Sequence, residues 1–195
     1  MKTTVILGTA HGSNVAGKCS PDGRLREYEY SRRVCRAVRD GLTARGVCCI
    51  IDIEADVEPS LRHRVSHVNR LCREHGDCLY VSIHCNAAGS DGQWHNARGH
   101  AVMVAPNASQ RSRRLASIIH HGAVAMGLGG NRCYPPQGYY VQSLAVCRDT
   151  VCPAVLTENL FHDNRLDVDY LLSPAGFDAI VNLHINSIIE YLKQP

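Results

Sequence analysis

The sequence lacks the features of several large classes of protein. No stretch approaches the roughly 18 consecutive apolar residues needed to span a bilayer. The apolar part of residues 1–8 is too short for a secretory signal, so we expect a mature form or release by another route. The formal charge is only +3 and no basic face is clustered, so neither a nucleic-acid nor a membrane partner is expected.

The cysteines do not form a recognisable metal or disulfide pattern. There are ten of them, but no Cys-x-x-Cys pair occurs. Cys48 and Cys49 are adjacent, which suits neither a zinc knuckle nor an ordinary disulfide. Several others fall at apolar positions of periodic segments. We therefore interpret them mainly as small core residues in a chain that is kept reduced.

The length and composition predict one globular domain over residues 1–195. Hydrophobic residues make up 45% of the chain and charged residues 20%, which are ordinary globular values. A chain of 195 residues is long enough to bury one continuous core. No internal repeat and no linker-like segment interrupts it.

The hydrophobic periodicity predicts an α/β fold with about six strands in a mostly parallel, mixed central sheet and helices on both faces. The predicted strands are residues 4–8, 47–53, 79–84, 99–105, 139–146 and 153–158. The predicted helices are residues 25–45, 59–75, 109–126 and 174–192.

Polar side chains follow three of the predicted strands. His11 comes just after the first strand, His84 ends the third, and Glu158 ends the last. In an open α/β sheet, ligands bind beyond the carboxyl ends of the strands. If the three strands are neighbours, these side chains meet at one edge of the sheet.

A second carboxylate is predicted to point towards the same edge. Tyr30, Val34 and Val38 recur at helical spacing and form the apolar face of the first helix. Extending that face back by three residues reaches Glu27, whereas Glu29 falls on the solvent face. Glu27 is therefore the inward-pointing acid at the start of this helix.

Two histidines and one carboxylate form a common catalytic zinc set, which leaves one position open for water or substrate. A further carboxylate that does not bind the metal can transfer protons. The location of Glu27 suits a ligand and that of Glu158 suits a general base, but the residues alone leave this division of roles open.

These segments resemble the zinc-dependent N-acetylmuramoyl-L-alanine amidases of the type-3 family, found among bacterial cell-wall hydrolases and phage endolysins. The resemblance is collinear over nearly the whole chain. It is carried by the His-containing turn Ala10–Ser13, Glu27 about twenty residues before Gly46, Arg64–Asn69, Ser82–Asn86, Pro153–Asn164 and Leu171–Ser173.

The resemblance implies a zinc-exopeptidase-like fold that binds one zinc ion through His11, Glu27 and His84, with Glu158 as the catalytic carboxylate. It implies hydrolysis of the amide between N-acetylmuramic acid and L-alanine, by a zinc-activated water and a glutamate base. The expected partner is peptidoglycan or a muropeptide, the site of action is the cell wall or periplasm, and a monomer is expected. Weaker candidates for substrate binding are Asn86, Arg64 and His162.

One departure from the family and two alternative functions accompany this interpretation. The family usually has Asp-Pro-Gly before the first histidine, whereas this chain has Gly8-Thr9-Ala10, so that acidic residue is absent. A zinc carboxypeptidase-like peptidase on a similar sheet is one alternative. A non-catalytic domain that binds muropeptides is the other, although such a domain has no need of Glu158.

Overall fold

A computed structural model of the chain describes residues 3–193. In that part, the strands are β1 (Thr4–Thr9), β2 (Cys49–Ile51), β3 (Cys78–Asn86), β4 (Ala101–Val104), β5 (Tyr140–Val141) and β6 (Ala154–Phe161). The helices are α1 (Glu27–Thr43), α2 (Leu61–His75), α3 (Gln110–Ala125), α4 (Ala145–Arg148), α5 (Arg165–Leu172) and α6 (Pro174–Lys193). None of the helices within residues 3–193 has the length and apolar character needed to cross a membrane.

The strands form one mixed sheet in the order β2-β1-β3-β6-β4-β5. β1, β2, β3 and β6 run parallel to one another, β4 runs antiparallel to β6, and β5 runs parallel to β4. The predicted six-stranded, mostly parallel sheet is therefore confirmed. This order places β1, β3 and β6 side by side at the centre, so their carboxyl ends share one edge.

The central strands are continuous apolar runs because both faces of the sheet are covered. Val5 and Leu7 of β1 belong to a core shared with α1, α3 and α6. Ile6 of the same strand points to the opposite face, where it packs with Val68 of α2. This alternation leaves no strand position in β1 exposed to solvent.

The start of α1 is fixed by the segment before it. Arg26 forms an isolated antiparallel bridge with Cys19, and the N–H of Glu27 donates to the carbonyl of Lys18 at 2.9 Å. The helix therefore begins at Glu27, two residues later than predicted. As a result, Glu27 lies in the first helical turn, against the central strands.

The structure differs from the sequence prediction in the region after α3. Only Tyr140–Val141 of the predicted strand 139–146 pairs with β4, and Ala145–Arg148 forms α4 instead. The adjacent residues Val146 and Cys147 thereby both pack into the core beside α2, whereas in a strand they would point to opposite faces of the sheet. A further unpredicted helix, α5, is capped by Asn164, whose side chain accepts the N–H of Asp167 at 3.2 Å.

Candidate metal and catalytic site

The three strand-end side chains do meet at one edge of the sheet. His11 lies two residues beyond β1, while His84 and Glu158 are aligned in the parallel register of β3 and β6. The register of β3 and β6 shifts between His84 and Asn86, at the point where the strands approach the site. β3 and β6 also continue past the predicted strand ends, to Asn86 and Phe161.

Glu27 joins this group from the first turn of α1. Its side chain is 1% exposed, and Oε1 lies 3.1 Å from Nδ1 of His84 and accepts the N–H of Cys85 at 3.1 Å. Oε2 lies 3.5 Å from Nε2 of His11. Burial raises the pKa of Glu27, but its contacts with His84 and His11 outweigh this and hold it below its ordinary value.

The donor atoms of His11, Glu27 and His84 fit a metal ion. One ligand atom from each lies within 4.8 Å of the other two. Zinc with ligands at 2.0–2.2 Å places neighbouring donor atoms about 3.4 Å apart, so small side-chain rotations close the set. The two imidazole rings are nearly perpendicular, at 89°, with 5.3 Å between centroids. Oε2 of Glu27 is also buried with no hydrogen-bond partner, as expected of an atom that binds a metal.

Hydrogen bonds around the two histidines help to set their orientation. Nδ1 of His84 faces the Glu27 carboxylate, and Nε2 of the same ring lies 3.1 Å from the hydroxyl oxygen of Ser82. His11 has a left-handed backbone, with φ of 42°. The preceding N–H, that of Ala10, donates to the hydroxyl of Ser31, and Ser31 donates to the carbonyl of Ile83. The His11 turn is therefore fixed to both α1 and β3, as strained backbone at functional sites commonly is.

The electrostatic environment of Glu158 suits proton transfer. Its Oε2 atom is buried and has no hydrogen-bond partner. Burial raises the pKa of Glu158 to about 7, the nearby His84 opposes this, and the negative charge of Glu27 adds to it. A carboxylate with a pKa near neutrality can both accept and donate a proton at physiological pH.

The three weaker candidates occupy different places. Arg64 of α2 is 3% exposed, and its Nη1 lies 3.2 Å from Oδ2 of buried Asp52, which directly follows β2. The side-chain oxygen of Asn86 accepts the N–H of the next residue at 2.9 Å, at the end of β3. His162 is 3% exposed, and neither ring nitrogen has a hydrogen-bond partner.

A cavity of about 300 Å³ lies beside the site and contains residues that the sequence reasoning missed. It is lined by residues 16–21, 87, 89, 90, 92, 93, 162 and 163. Of these, His162 was predicted from the sequence, whereas Lys18 and Asp163 were not. Burial chiefly lowers the pKa of His11, and the charge of the nearby Lys18 ammonium adds to this. Asp163 accepts the N–H groups of Ala88 and Gly89 at 2.7 and 3.0 Å, which holds one wall of the cavity.

Glu58 is the other functional candidate that the sequence reasoning missed. Its Oε1 lies 3.8 Å from Nδ1 of His11, on the side of the ring away from Glu27. The acidic residues Glu54, Asp56 and Glu58 follow β2 at alternate positions, which was the available signal. A larger cavity of about 760 Å³ lies elsewhere and is lined by the paired Arg111 and Asp77, without a comparable ligand set among the described residues.

Known proteins resemble this chain over nearly its whole length. Residues 5–190 match the family model described as N-acetylmuramoyl-L-alanine amidase. The endolysin of Bacillus phage SPP1 is 25% identical over 194 residues, which are 99% of this chain and 67% of the endolysin. The amidase CwlM of Bacillus licheniformis is 25% identical over 186 residues, which are 94% of this chain and 66% of CwlM. This chain thus spans about two thirds of the length of these relatives.

Solved structures of amidases share the fold. The N-acetylmuramoyl-L-alanine amidase of Clostridium difficile 630 superimposes with a TM-score of 0.84 at 20% identity, covering 99% of this chain and 98% of the other. Ami1 of Mycobacterium smegmatis superimposes with a TM-score of 0.83 at 20% identity, covering 98% of this chain and 97% of Ami1. The single-domain α/β fold predicted from the sequence is confirmed by these likenesses.

Proposed function

We propose that this chain, which belongs to the N-acetylmuramoyl-L-alanine amidase family, hydrolyses the amide between N-acetylmuramic acid and the L-alanine of the stem peptide. One zinc ion would be held by His11, Glu27 and His84, with Glu158 as the general base. The observation that carries the proposal is the convergence of these three donor groups within 4.8 Å, next to a carboxylate whose pKa is raised to about 7. We also propose that residues 1–195 form the catalytic domain.

The donor atoms can be assigned from their directions. His11 would bind through Nε2 and His84 through Nδ1, because these nitrogens face the Glu27 carboxylate. Two imidazole nitrogens and a carboxylate oxygen suit zinc better than calcium or magnesium, which prefer oxygen ligands alone. Bound zinc would lower the pKa of a water molecule towards neutrality and polarise the scissile carbonyl.

Glu158 would act first as the general base and then as the general acid. Its unpartnered Oε2 accepts a proton from the attacking water and later donates it to the nitrogen of the departing L-alanine. Both transfers are feasible at one pH because the pKa of Glu158 is raised to about 7. The strand pairing of β6 with β3 keeps this carboxylate at a fixed position relative to His84.

The stem peptide would occupy the cavity beside the site. Lys18 supplies a cation there, and His162 and Asp163 supply polar groups that lack protein partners for at least one atom. A stem peptide carries carboxylates close to the bond that is cut, so the Lys18 ammonium is suited to bind one of them. Asn86 ends β3 next to this cavity and is a further candidate contact.

The proposal also specifies the substrate, the site of action and the oligomeric state. Its substrate is peptidoglycan or a soluble muropeptide, so its site of action is the bacterial cell wall. We propose that it acts as a monomer, because all four residues of the proposed machinery come from one chain. One relative it resembles is named an endolysin and another an amidase.

Mass analysis of the digestion products tests the proposal. Purified protein loaded with about one zinc ion per chain should release stem peptides with a free N-terminal L-alanine from peptidoglycan. Release of D-alanine or cleavage within the stem would instead indicate a carboxypeptidase-like enzyme. Wall binding without any product would indicate a non-catalytic binding domain.

A further inference from the structure

The outer nitrogen of His11 faces a carboxylate. Nε2 is directed at Glu27, whereas Nδ1 lies 3.8 Å from Oε1 of Glu58. The second oxygen of Glu58, Oε2, is buried without a hydrogen-bond partner. Histidines that bind a metal usually donate their other ring N–H to a carboxylate, a carbonyl or water, which fixes the tautomer and the orientation of the ring.

The position before His11 at which the family usually has an acid cannot hold one here. A Cβ atom at Gly8 would lie 2.1 Å from the hydroxyl oxygen of Tyr80 and 2.6 Å from the ring carbon that carries it. Tyr80 is fully buried on the neighbouring strand β3, paired with Ile6, so it has little room to move. Any acid that orients His11 must therefore come from another segment.

The segment that carries Glu58 is tied to the turn that carries His11. Ser13 donates from both its N–H and its hydroxyl to the carbonyl of Asp56, at 2.8 and 2.9 Å. The side-chain oxygen of Asn14 accepts the N–H of Glu58 at 2.7 Å. A Cβ at Gly12 would lie only 2.4 Å from that same Glu58 nitrogen, so this close approach requires glycine.

We propose that Glu58 is the positioning residue for His11: its carboxylate accepts the Nδ1–H of the imidazole and keeps Nε2 directed at the metal. This inference rests on the metal site of the proposed function. The present separation of 3.8 Å exceeds a normal hydrogen bond by about 0.8 Å. Since the Glu58 backbone is fixed, a small rotation of its side chain closes that gap.

Zinc affinity tests the role of Glu58 without using catalysis. The full chain is compared with Glu58→Gln and with the control Glu54→Gln, by competition for zinc against a chromophoric chelator. Glu54 is a matched control because it lies in the same segment, has the same 28% exposure, and pairs with Arg36 rather than with a histidine. Loss of such an outer contact should weaken zinc binding by about 10- to 100-fold in Glu58→Gln. Glu54→Gln should bind zinc like the wild type.

The possible results separate this inference from the proposed function. Unchanged zinc affinity in Glu58→Gln, or an equal loss in Glu54→Gln, would overturn the role of Glu58 while leaving the metal site intact. A wild-type chain that binds no zinc would overturn both. If Glu58→Gln does not fold, NMR of the imidazole ring of wild-type His11 still tests the inference, because ¹⁵N shifts show which ring nitrogen binds zinc and which carries the proton. Zinc on Nε2 supports the inference if the Nδ1 proton also exchanges slowly with water and has the downfield shift of a hydrogen bond to a carboxylate. Zinc on Nδ1, or an Nδ1 proton that exchanges freely with water, overturns it.

Discussion

His84 and Glu158 stand side by side on adjacent parallel strands, aligned in the same register that pairs Ile83 with Thr157. The separation of the proposed metal ligand and the proposed base is therefore set by a backbone ladder rather than by a loop. Side chains on hydrogen-bonded strands are held more precisely than side chains on loops. His11, which lies in a turn, needs additional contacts for the same purpose.

Replacing Glu158 by glutamine should separate metal binding from catalysis. The glutamine amide cannot accept the proton, so kcat of Glu158→Gln should fall by about 10²- to 10⁴-fold while zinc content is retained. Product release from peptidoglycan and zinc content after desalting measure the two effects. Glu27→Gln is the contrasting variant and should lose zinc. Loss of zinc from Glu158→Gln would mean that the roles assigned to the two glutamates are wrong.

Replacing Arg64 by alanine should destabilise the fold rather than weaken substrate binding. The change removes Arg64, the buried cationic partner of Asp52, and leaves His67, whose Nδ1 lies 2.5 Å from Oδ1, as the remaining partner of that carboxylate. Breaking a buried ion pair costs about 3–5 kcal/mol when the other charge is left unpaired, so with His67 retained this range is the upper limit of the expected loss. Urea unfolding of the zinc-free protein measures the change.

Arg70→Ala is the control for this prediction, because Arg70 lies on the same helix but forms an exposed pair with Glu74 at 3.1 Å. Such exposed pairs contribute about 0.5 kcal/mol or less. If Arg64→Ala were as stable as Arg70→Ala but had a raised KM, Arg64 would instead be a substrate contact.

Buried His100 should make the fold less stable in mild acid. Burial lowers the pKa of His100 from 6.5 to about 3, and neither ring nitrogen has a hydrogen-bond partner. Below pH 6.5 the unfolded chain therefore takes up a proton here that the folded chain does not, so stability falls as the pH decreases. The loss from this one residue is about 2 kcal/mol at pH 5 and levels off below the folded-state pKa.

His100→Leu tests this linkage. Leucine removes two buried polar atoms that have no partner, so stability at pH 7.5 should stay the same or increase. Between pH 7.5 and pH 5 the variant should lose about 2 kcal/mol less than the wild type, as measured by urea unfolding with a chelator present. His184, which is also buried near His100, remains in both proteins; because burial lowers its pKa to about 4, it is neutral in both folded proteins down to pH 5 and contributes nearly equally. Parallel pH profiles would contradict the prediction.

Removing the charge of Lys18 should affect substrate binding more than turnover. If Lys18 binds a carboxylate of the stem peptide, Lys18→Gln loses about 1 kcal/mol, which corresponds to about a fivefold rise in KM. Lys193→Gln is the control, because Lys193 lies in the last turn of α6, outside the cavity. A substrate whose stem carboxylate is amidated should show no difference between Lys18→Gln and wild type. An equal rise in KM with that substrate would contradict a carboxylate contact.

The central sheet was predictable from the sequence because its signals are local. The apolar runs of β1, β3 and β6 and the amphipathic helix α1 follow from spacing alone, and all four form as predicted within a few residues. The helical periodicity also predicted that Glu27 points inward, and the structure buries it. The short extent of β5 and the helix α4 were not predictable, because edge-strand pairing and core packing compete over residues 139–148.

The sequence by itself determined the candidates for the chemistry: two histidines and a glutamate at the ends of three predicted strands, and one acid on the inward face of a helix. The tertiary structure decided how they are arranged. Strand order β1-β3-β6 brings them to one edge, and the register of β3 and β6 aligns His84 with Glu158. Only the fold could show that Glu58, 47 residues after His11, lies beside it. The reason is physical: spacing along a chain determines which face a side chain occupies, but contact between distant segments depends on how the sheet and loops pack.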